Sequence, residues 1–254
     1  MSNILTTHVG SLPRSKELSE FLFAKDKGEK FSQSSFDEVL KNNVASVVKK
    51  QLDVGIDFVS DGEMSKISYA TYIKDRIDGF SGESERRAPA DLDDFPEYKE
   101  KIAKSGGTPT YTRPCCTNEL KVKDETSLLQ DINNFKNSLD KLNHRHAFMN
   151  SASPGVINVF MPNKFYSSED EYLDKLSNIM AKEYELITKS DIQVQLDCPD
   201  LALARHMNFK NLSEDEFIKR AELQIECLNS ALSNVDVEQT RMHICWGNYE
   251  GPHT

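Results

Sequence analysis

The 254-residue chain has no run approaching the roughly 18 or more uncharged apolar residues that a membrane-spanning helix needs, so no membrane partner is expected. Its opening, MSNILTTHVGSLPR, lacks the basic start, long apolar core and small-residue cleavage site of a secretory signal; a cytoplasmic location is the default expectation. Cysteine is sparse and irregular. Cys115, Cys116, Cys198, Cys227 and Cys245 form an odd set that makes no disulfide framework and reads mainly as buried thiols. Positive charge is in deficit: 31 basic against 41 acidic side chains give a formal net charge of -10. No basic aromatic stripe offsets this locally, which argues against nucleic acid, although a cleft of opposite sign could still take a small anionic substrate. Neither G-x-G-x-x-G nor G-x-x-x-x-G-K-[ST] occurs, which argues against the common dinucleotide and P-loop sites.

What the sequence does contain is an alternation of short apolar runs with longer helical ones. Strands are predicted at 4–11, 55–63, 108–116, 145–155, 191–200 and 239–248. Helices are predicted at 16–24, 35–54, 125–143, 167–190 and 213–232, and the polar stretch 81–98 reads as a surface excursion. In the second helix Phe36, Val39, Leu40, Val44, Val47, Val48 and Leu52 recur at steps of three and four, while the last two helices open with serine and acids that suit free first-turn amides. Helices between most strands imply parallel pairing, because each crossover needs about a dozen residues. Polar residues collect where different strands end: Gly10 and Ser11, Asp61 and Glu63, Ser151 and Ser153, Asp197, His243 and Cys245. An eight-stranded β/α (TIM-type) barrel would gather all of them at one mouth, whereas an open doubly wound sheet would gather only those beside its switch point. The barrel is favoured. Six of eight strands can be found, so either two lie unrecognised within 64–115 or the chain ends before its barrel closes.

The stretch MHICWGN places His243 and Cys245 two residues apart, on one face of a strand. Such a nitrogen–sulfur pair suits zinc better than magnesium or calcium, but two ligands do not complete a site, and inward packing of both remains the competing reading. Cys198 ends the preceding strand and is a third donor in space or a core thiol; His253 lies close in sequence. Cys115 and Cys116, as strand neighbours, face opposite ways, and His144 and His146 sit at the other end of their strand. Glu63 and Asp197 could hold a substrate ammonium or share acid–base work; helix capping or ion pairing is the alternative. The Gly10–Ser11 turn could offer amides to a carboxylate, or be ordinary turn chemistry. Arg205 and His206 could face an anionic group or solvent.

Taken together, TTHVGSLPR (6–14), DFVSDGEMSK (57–66), VQLDCPDLAL (194–203) and MHICWGN (242–248) resemble the cobalamin-independent methionine synthase family, specifically its zinc-carrying C-terminal barrel in single-domain form. The resemblance implies one barrel domain over residues 1–254. It implies transfer of a methyl group from a methylated folate to a zinc-held thiol such as homocysteine. It further implies that Ser11 and its turn hold the amino-acid carboxylate, that Glu63 and Asp197 hold the ammonium, and that His243 and Cys245 are two Zn2+ ligands. Zinc would lower the thiol pKa and the barrel mouth would orient the methyl transfer.

Two departures stand out. The family completes its metal site with a glutamate and a second cysteine on later strands; only Glu250 follows Cys245 here, too near to match. The family's DEPA-like stretch reads DCPD, with Cys198 beside Asp197. A barrel stopping after its sixth strand would also expose unpaired edges, where self-association is expected. The remaining alternatives are alkyl transfer to another small thiol, a reaction like that of the related porphyrin decarboxylases, and a non-catalytic barrel remnant.

Overall fold

The computed structural model describes residues 4–85, 90–104, 111–140, 142–144 and 146–247. Two helices come first. Ser15 caps α1 (Lys16–Asp26) by accepting from the Leu18 amide, and Ser32 caps α2 (Gln33–Asp53) by accepting from that of Ser35. The stripe Phe36, Leu40, Val44, Val47 and Val48 on α2 is buried, as expected of an amphipathic helix lying on a sheet.

The chain then alternates: β1 (Phe58–Ser60), β2 (Ile77–Ser81), α3 (Pro96–Lys104), β3 (Cys115–Val122), α4 (Thr126–Leu139), β4 (His146–Ala152), α5 (Pro154–Phe160) and α6 (Glu169–Thr188). β5 (Gln193–Asp197), α7 (Leu203–His206), α8 (Glu214–Ala231) and β6 (Thr240–His243) follow. Ser168 caps α6. Ser213 and Glu216 form a reciprocal capping box at the start of α8, so the acidic helix openings sit where free amides are.

Four strands make one parallel sheet in the order β1-β4-β5-β6, and β2 with β3 makes a separate antiparallel pair. This is the architecture of an incomplete β/α barrel with about six strands, four of them in the parallel sheet. The predicted strand at 4–11 shrinks to one parallel bridge, Thr7 to Phe58. Its backbone is pinned early, by Thr6 N to Asp57 Oδ2 at 2.9 Å, and turns away at Gly10, whose φ is 75°. The predicted 108–116 strand falls partly outside the described residues; the observed β3 begins only at Cys115 and pairs with β2, which sequence patterning does not suggest.

Register divides the parallel sheet into two unlike faces. Val59, Met149, Val194 and Leu196 lie on one side, all buried with the helices in the main core. Phe58, Phe148, Asn150, Gln195, Asp197, Arg241 and His243 lie on the other, because alternate strand residues face opposite ways. That second face, lining the inside of the partial barrel, is largely polar. Among the described residues no helix is long and apolar enough to cross a membrane.

Candidate functional site

The C-terminal ends of the parallel strands carry the site. After β1 the chain turns through Gly62 (φ 65°) and Glu63 (φ 55°), and the second is a left-handed conformation that non-glycine residues rarely adopt. A Cβ on Gly62 would come within 2.9 Å of Met64 Cε and 3.1 Å of Leu12 Cβ. The absence of a side chain there lets Leu12 N reach Gly62 O at 3.1 Å and draws the Gly10–Ser11 turn over β1. Ser11 Oγ then donates to Glu63 Oε2 at 2.6 Å. Arg14 holds the turn from beneath, donating to Glu63 O at 2.8 Å and Lys66 O at 2.7 Å.

Glu63 is 1% exposed, and its other carboxylate oxygen, Oε1, has no hydrogen-bond partner. The residue opens instead on a cavity of about 310 Å³ whose walls include Ser11, Tyr69, Asp197, His243 and Cys245. Burial pushes the Glu63 carboxyl above the usual range, with Asp197 adding to the rise and Lys66 and Ser11 opposing it.

Asp197 ends β5 beside His243 of β6, its register partner. Its carboxylate accepts from Asn150 Nδ2 at 3.1 Å (Oδ2), from Gln195 Nε2 at 3.1 Å (Oδ1) and faces His243 Nδ1 at 3.2 Å (Oδ1). The hydrogen bond to Asp197, followed by that to Cys245, raises the His243 pKa to about 9; the same bond from His243 lowers the Cys245 thiol. Lys66, buried, donates to the Asn150 carbonyl. Asn150, Gln195, Lys66 and Arg14 are not singled out by the sequence pattern. The one available signal is that Asn150 follows the apolar run Ala147–Met149 and that Gln195 sits between Val194 and Leu196.

The structure thus brings Ser11, Glu63, Asp197, His243 and Cys245 to one cavity. It does not bring together a zinc site. Among the described residues no group of three or more His, Cys, Asp and Glu side chains is arranged to hold a metal ion, which overturns the Zn2+ expectation. A protein zinc site needs at least three protein donors. His243 turns Nδ1 to Asp197, and Cys198 is fully buried in the core, its thiol directed at Leu196 O and its pKa pushed up by burial. The other candidates are elsewhere. Cys115 and Cys116 are buried in β3, His144 contacts Leu142 O, and His146 stacks on Phe58 at 4.2 Å. Arg205 donates to Phe209 O at 2.9 Å, and His206 packs edge-on against Trp246. His253 and Glu250 lie outside the described residues.

The cavity, with Glu63 and Asp197 in its wall, lies at the strand ends of a parallel β/α sheet, the end at which β/α barrels carry their sites. Residues 4–89 match the family described as "Cobalamin-independent synthase, Catalytic domain". The chain is similar to the methionine synthase of Sulfolobus acidocaldarius, 25% identical over 245 residues that cover 96% of this chain and 62% of that protein. The Pyrococcus furiosus methionine synthase is 23% identical over 246 residues, again 96% and 62%. The fold matches the B12-independent methionine synthases of Shewanella sp. W3-18-1 (TM-score 0.66, 17% identity, 95% of this chain and 61% of that one) and, as a putative member, of Listeria monocytogenes (0.64, 15%, 98% and 68%). The chain spans about three fifths of the length of the curated relatives it matches. It is a distant likeness of the B12-independent methionine synthases along nearly all of its own length.

Proposed function

We propose that the cavity binds a small amino-acid thiol and that the chain takes part in methyl transfer of the methionine-synthase type. The observation that carries the reading is Glu63 Oε1, a buried carboxylate oxygen without a partner on a residue that lines a cavity of amino-acid size. An ammonium group is the ligand chemistry that would satisfy it, through a charge-assisted hydrogen bond. Ser11 and its turn stand next to Glu63, where a ligand carboxylate can meet backbone amides, and Asp197 adds negative potential from the facing strand. In the transfer, an S–C bond forms at the acceptor sulfur as the donor's N–CH3 bond breaks; the bonding pair stays on the donor nitrogen, which takes up a proton, and the acceptor gives up its thiol proton. A positively charged His243 favours that ionisation through its field, and the cavity contributes orientation. Two carboxylates in the wall make a poor seat for a polycarboxylate porphyrin.

Isothermal titration with L-homocysteine and L-methionine tests the reading. Binding by the unmodified chain and at least about a tenfold loss in Glu63→Gln support it, since a charged hydrogen bond is worth on the order of 1.5–3 kcal/mol. Absence of binding, or equal binding by the variant, overturns it. Binding without methyl transfer from a methylated folate would retain the amino-acid site and remove the transferase activity, leaving the non-catalytic barrel.

A further inference from the structure

The parallel sheet has two margins. At the first, the chain before β1 is held by Phe58 N to Thr6 O at 3.0 Å and by the bridge at Thr7; at the second, β6 is held by Cys198 N to His243 O at 2.8 Å. Neighbouring residues of a strand direct their backbone groups to opposite sides, so Thr7 and Met242 turn their own N–H and C=O away from the sheet. Among the described residues no strand pairs with the outer side of either. The side chains there are apolar and exposed: Ile4 (93%), Leu5 and Val9 at the first margin, Met242, Ile244 (56%) and Trp246 at the second. A bare edge of this kind is a template for pairing with another chain.

The helix layer carries the same two margins. On α8, Cys227 lies on the flank toward Ser177 of α6, whereas Ile218 and Ile225 lie on the flank away from it and are exposed. Beyond the first margin, the exposed Val54 follows α2 beside a cavity of about 440 Å³ whose walls include His8, Arg14, Ser46 and Lys50. The margins differ in sign. Arg14 and Lys50 stand at the first; at the second, Glu214 and Glu222 lie one turn either side of Ile218, and Asp236 and Glu238 precede β6. The net charge of -10 opposes association of two copies, so opposite signs at the two margins are what a seam between them needs.

We infer that this chain forms a two-fold dimer in which β6 of each copy pairs, in parallel, with the 4–9 segment of the other. Because β1, β4, β5 and β6 all run one way, half a turn about an axis along the strands keeps their direction and brings unlike margins together. The two seams are identical and no sheet margin stays bare. Pairing β6 with β6 would instead leave both 4–9 segments open. Each seam joins Met242 and Ile244 to Ile4, and the acidic flank of α8 to the basic side of α2.

Analytical ultracentrifugation tests this on the unmodified chain, which should sediment at micromolar concentration with twice the chain mass. Ile4→Asp and Met242→Arg, both at exposed side chains, should each give the monomer. Either change sets a charge into both seams against a margin of its own sign and should weaken the dimer at least about a hundredfold. Mixed one to one, the two variants should dimerise again, since one seam of the mixed pair is unaltered and the other sets an acid against a base. Should either variant lose the circular dichroism of the parent, Val54→Glu and Ile225→Lys make the same comparison from the helix layer. A monomeric parent overturns the inference. So does a dimer indifferent to the change at the first margin, which is the result expected of β6 pairing with β6. A mixture that stays monomeric overturns it as well.

Discussion

Arg241 Nη2 lies 3.2 Å from Thr7 Oγ1, joining residues 234 positions apart in the chain. Thr7 bridges the outer side of β1 and Arg241 sits on β6 at the far edge, so the contact spans the inside of the curved sheet from one margin to the other. The guanidinium also lies over the rings of Phe148 (4.1 Å to the centroid) and Phe58 (5.2 Å), and burial lowers its pKa. Arg241→Ala should destabilise the fold by about 1–2 kcal/mol through lost cation–π and stem packing. Urea unfolding followed by the fluorescence of Trp246, the single tryptophan, measures this. Arg241→Lys should recover only part of the loss, because an ammonium does not stack.

A second contact ties the start of β2 to helices α4 and α6. Arg76 donates to Asp131 Oδ2 at 2.6 Å and to Glu183 Oε2 at 2.7 Å, with all three side chains buried. Glu183 also accepts from Ser151 Oγ at 2.7 Å and from the Tyr72 hydroxyl. Burial alone would lower the Arg76 pKa, but the two facing carboxylates raise it. Arg76→Met strands two buried carboxylates and should cost about 3–5 kcal/mol. The triple change Arg76→Met, Asp131→Leu, Glu183→Leu should recover much of that in a denaturant titration. A triple variant no more stable than the single one would count against the account.

The helices were the most legible part of this chain. The 167–190 and 213–232 patterns bracket α6 and α8, because serine followed by acids marks a helix start by the same hydrogen bonds that form it. Two elements escaped for a shared reason. The run 145–155 reads as one strand, yet Ser153 caps α5 with Pro154 in its first turn; residues 77–81, where no strand is predicted, form β2, bulged at Gly79. In both, turn residues serve inside or at the edge of regular structure. For the site, strand ends were readable and partners were not. β6 ends at His243, so Cys245 lies beyond the strand although both line one cavity; whether a third donor arrives depends on tertiary placement, and Cys198 is buried elsewhere. Asn150 and Gln195 meet Asp197 because strand register brings the three together, which no local pattern announces.

Asp200 gives a pH-dependent prediction. Burial raises its carboxyl from 3.8 to about 6, although Ser153 Oγ donates to it at 2.8 Å. A raised acid favours the protonated fold, so its contribution is complete below about pH 4 and is lost as the pH rises to about 6. The loss is on the order of 3 kcal/mol. Asp200→Asn keeps the Ser153 bond and stays neutral. Its stability relative to the parent should therefore climb between about pH 4 and 6 and level off above, in melts recorded across that range. A difference that does not change with pH would refute this.

Gly155, in the first turn of α5, has no room for a methyl: a Cβ would stand 2.1 Å from Asp200 Oδ2 and 2.8 Å from its Cγ. Gly155→Ala should destabilise by about 1–3 kcal/mol, the scale of an overpacked core. Asp200→Ala in the same chain should relieve most of that clash. The four melting temperatures of this cycle, parent included, test whether the two effects couple as contact requires.

At position 63 the native side chain is a poor choice for the fold. A glycine would accept the left-handed backbone without strain and leave no orphaned oxygen behind, so Glu63→Gly should yield a protein no less hardy than the original. Selection for robustness alone would erode this carboxylate. On the amino-acid reading proposed above, what keeps it there is the ligand rather than the fold.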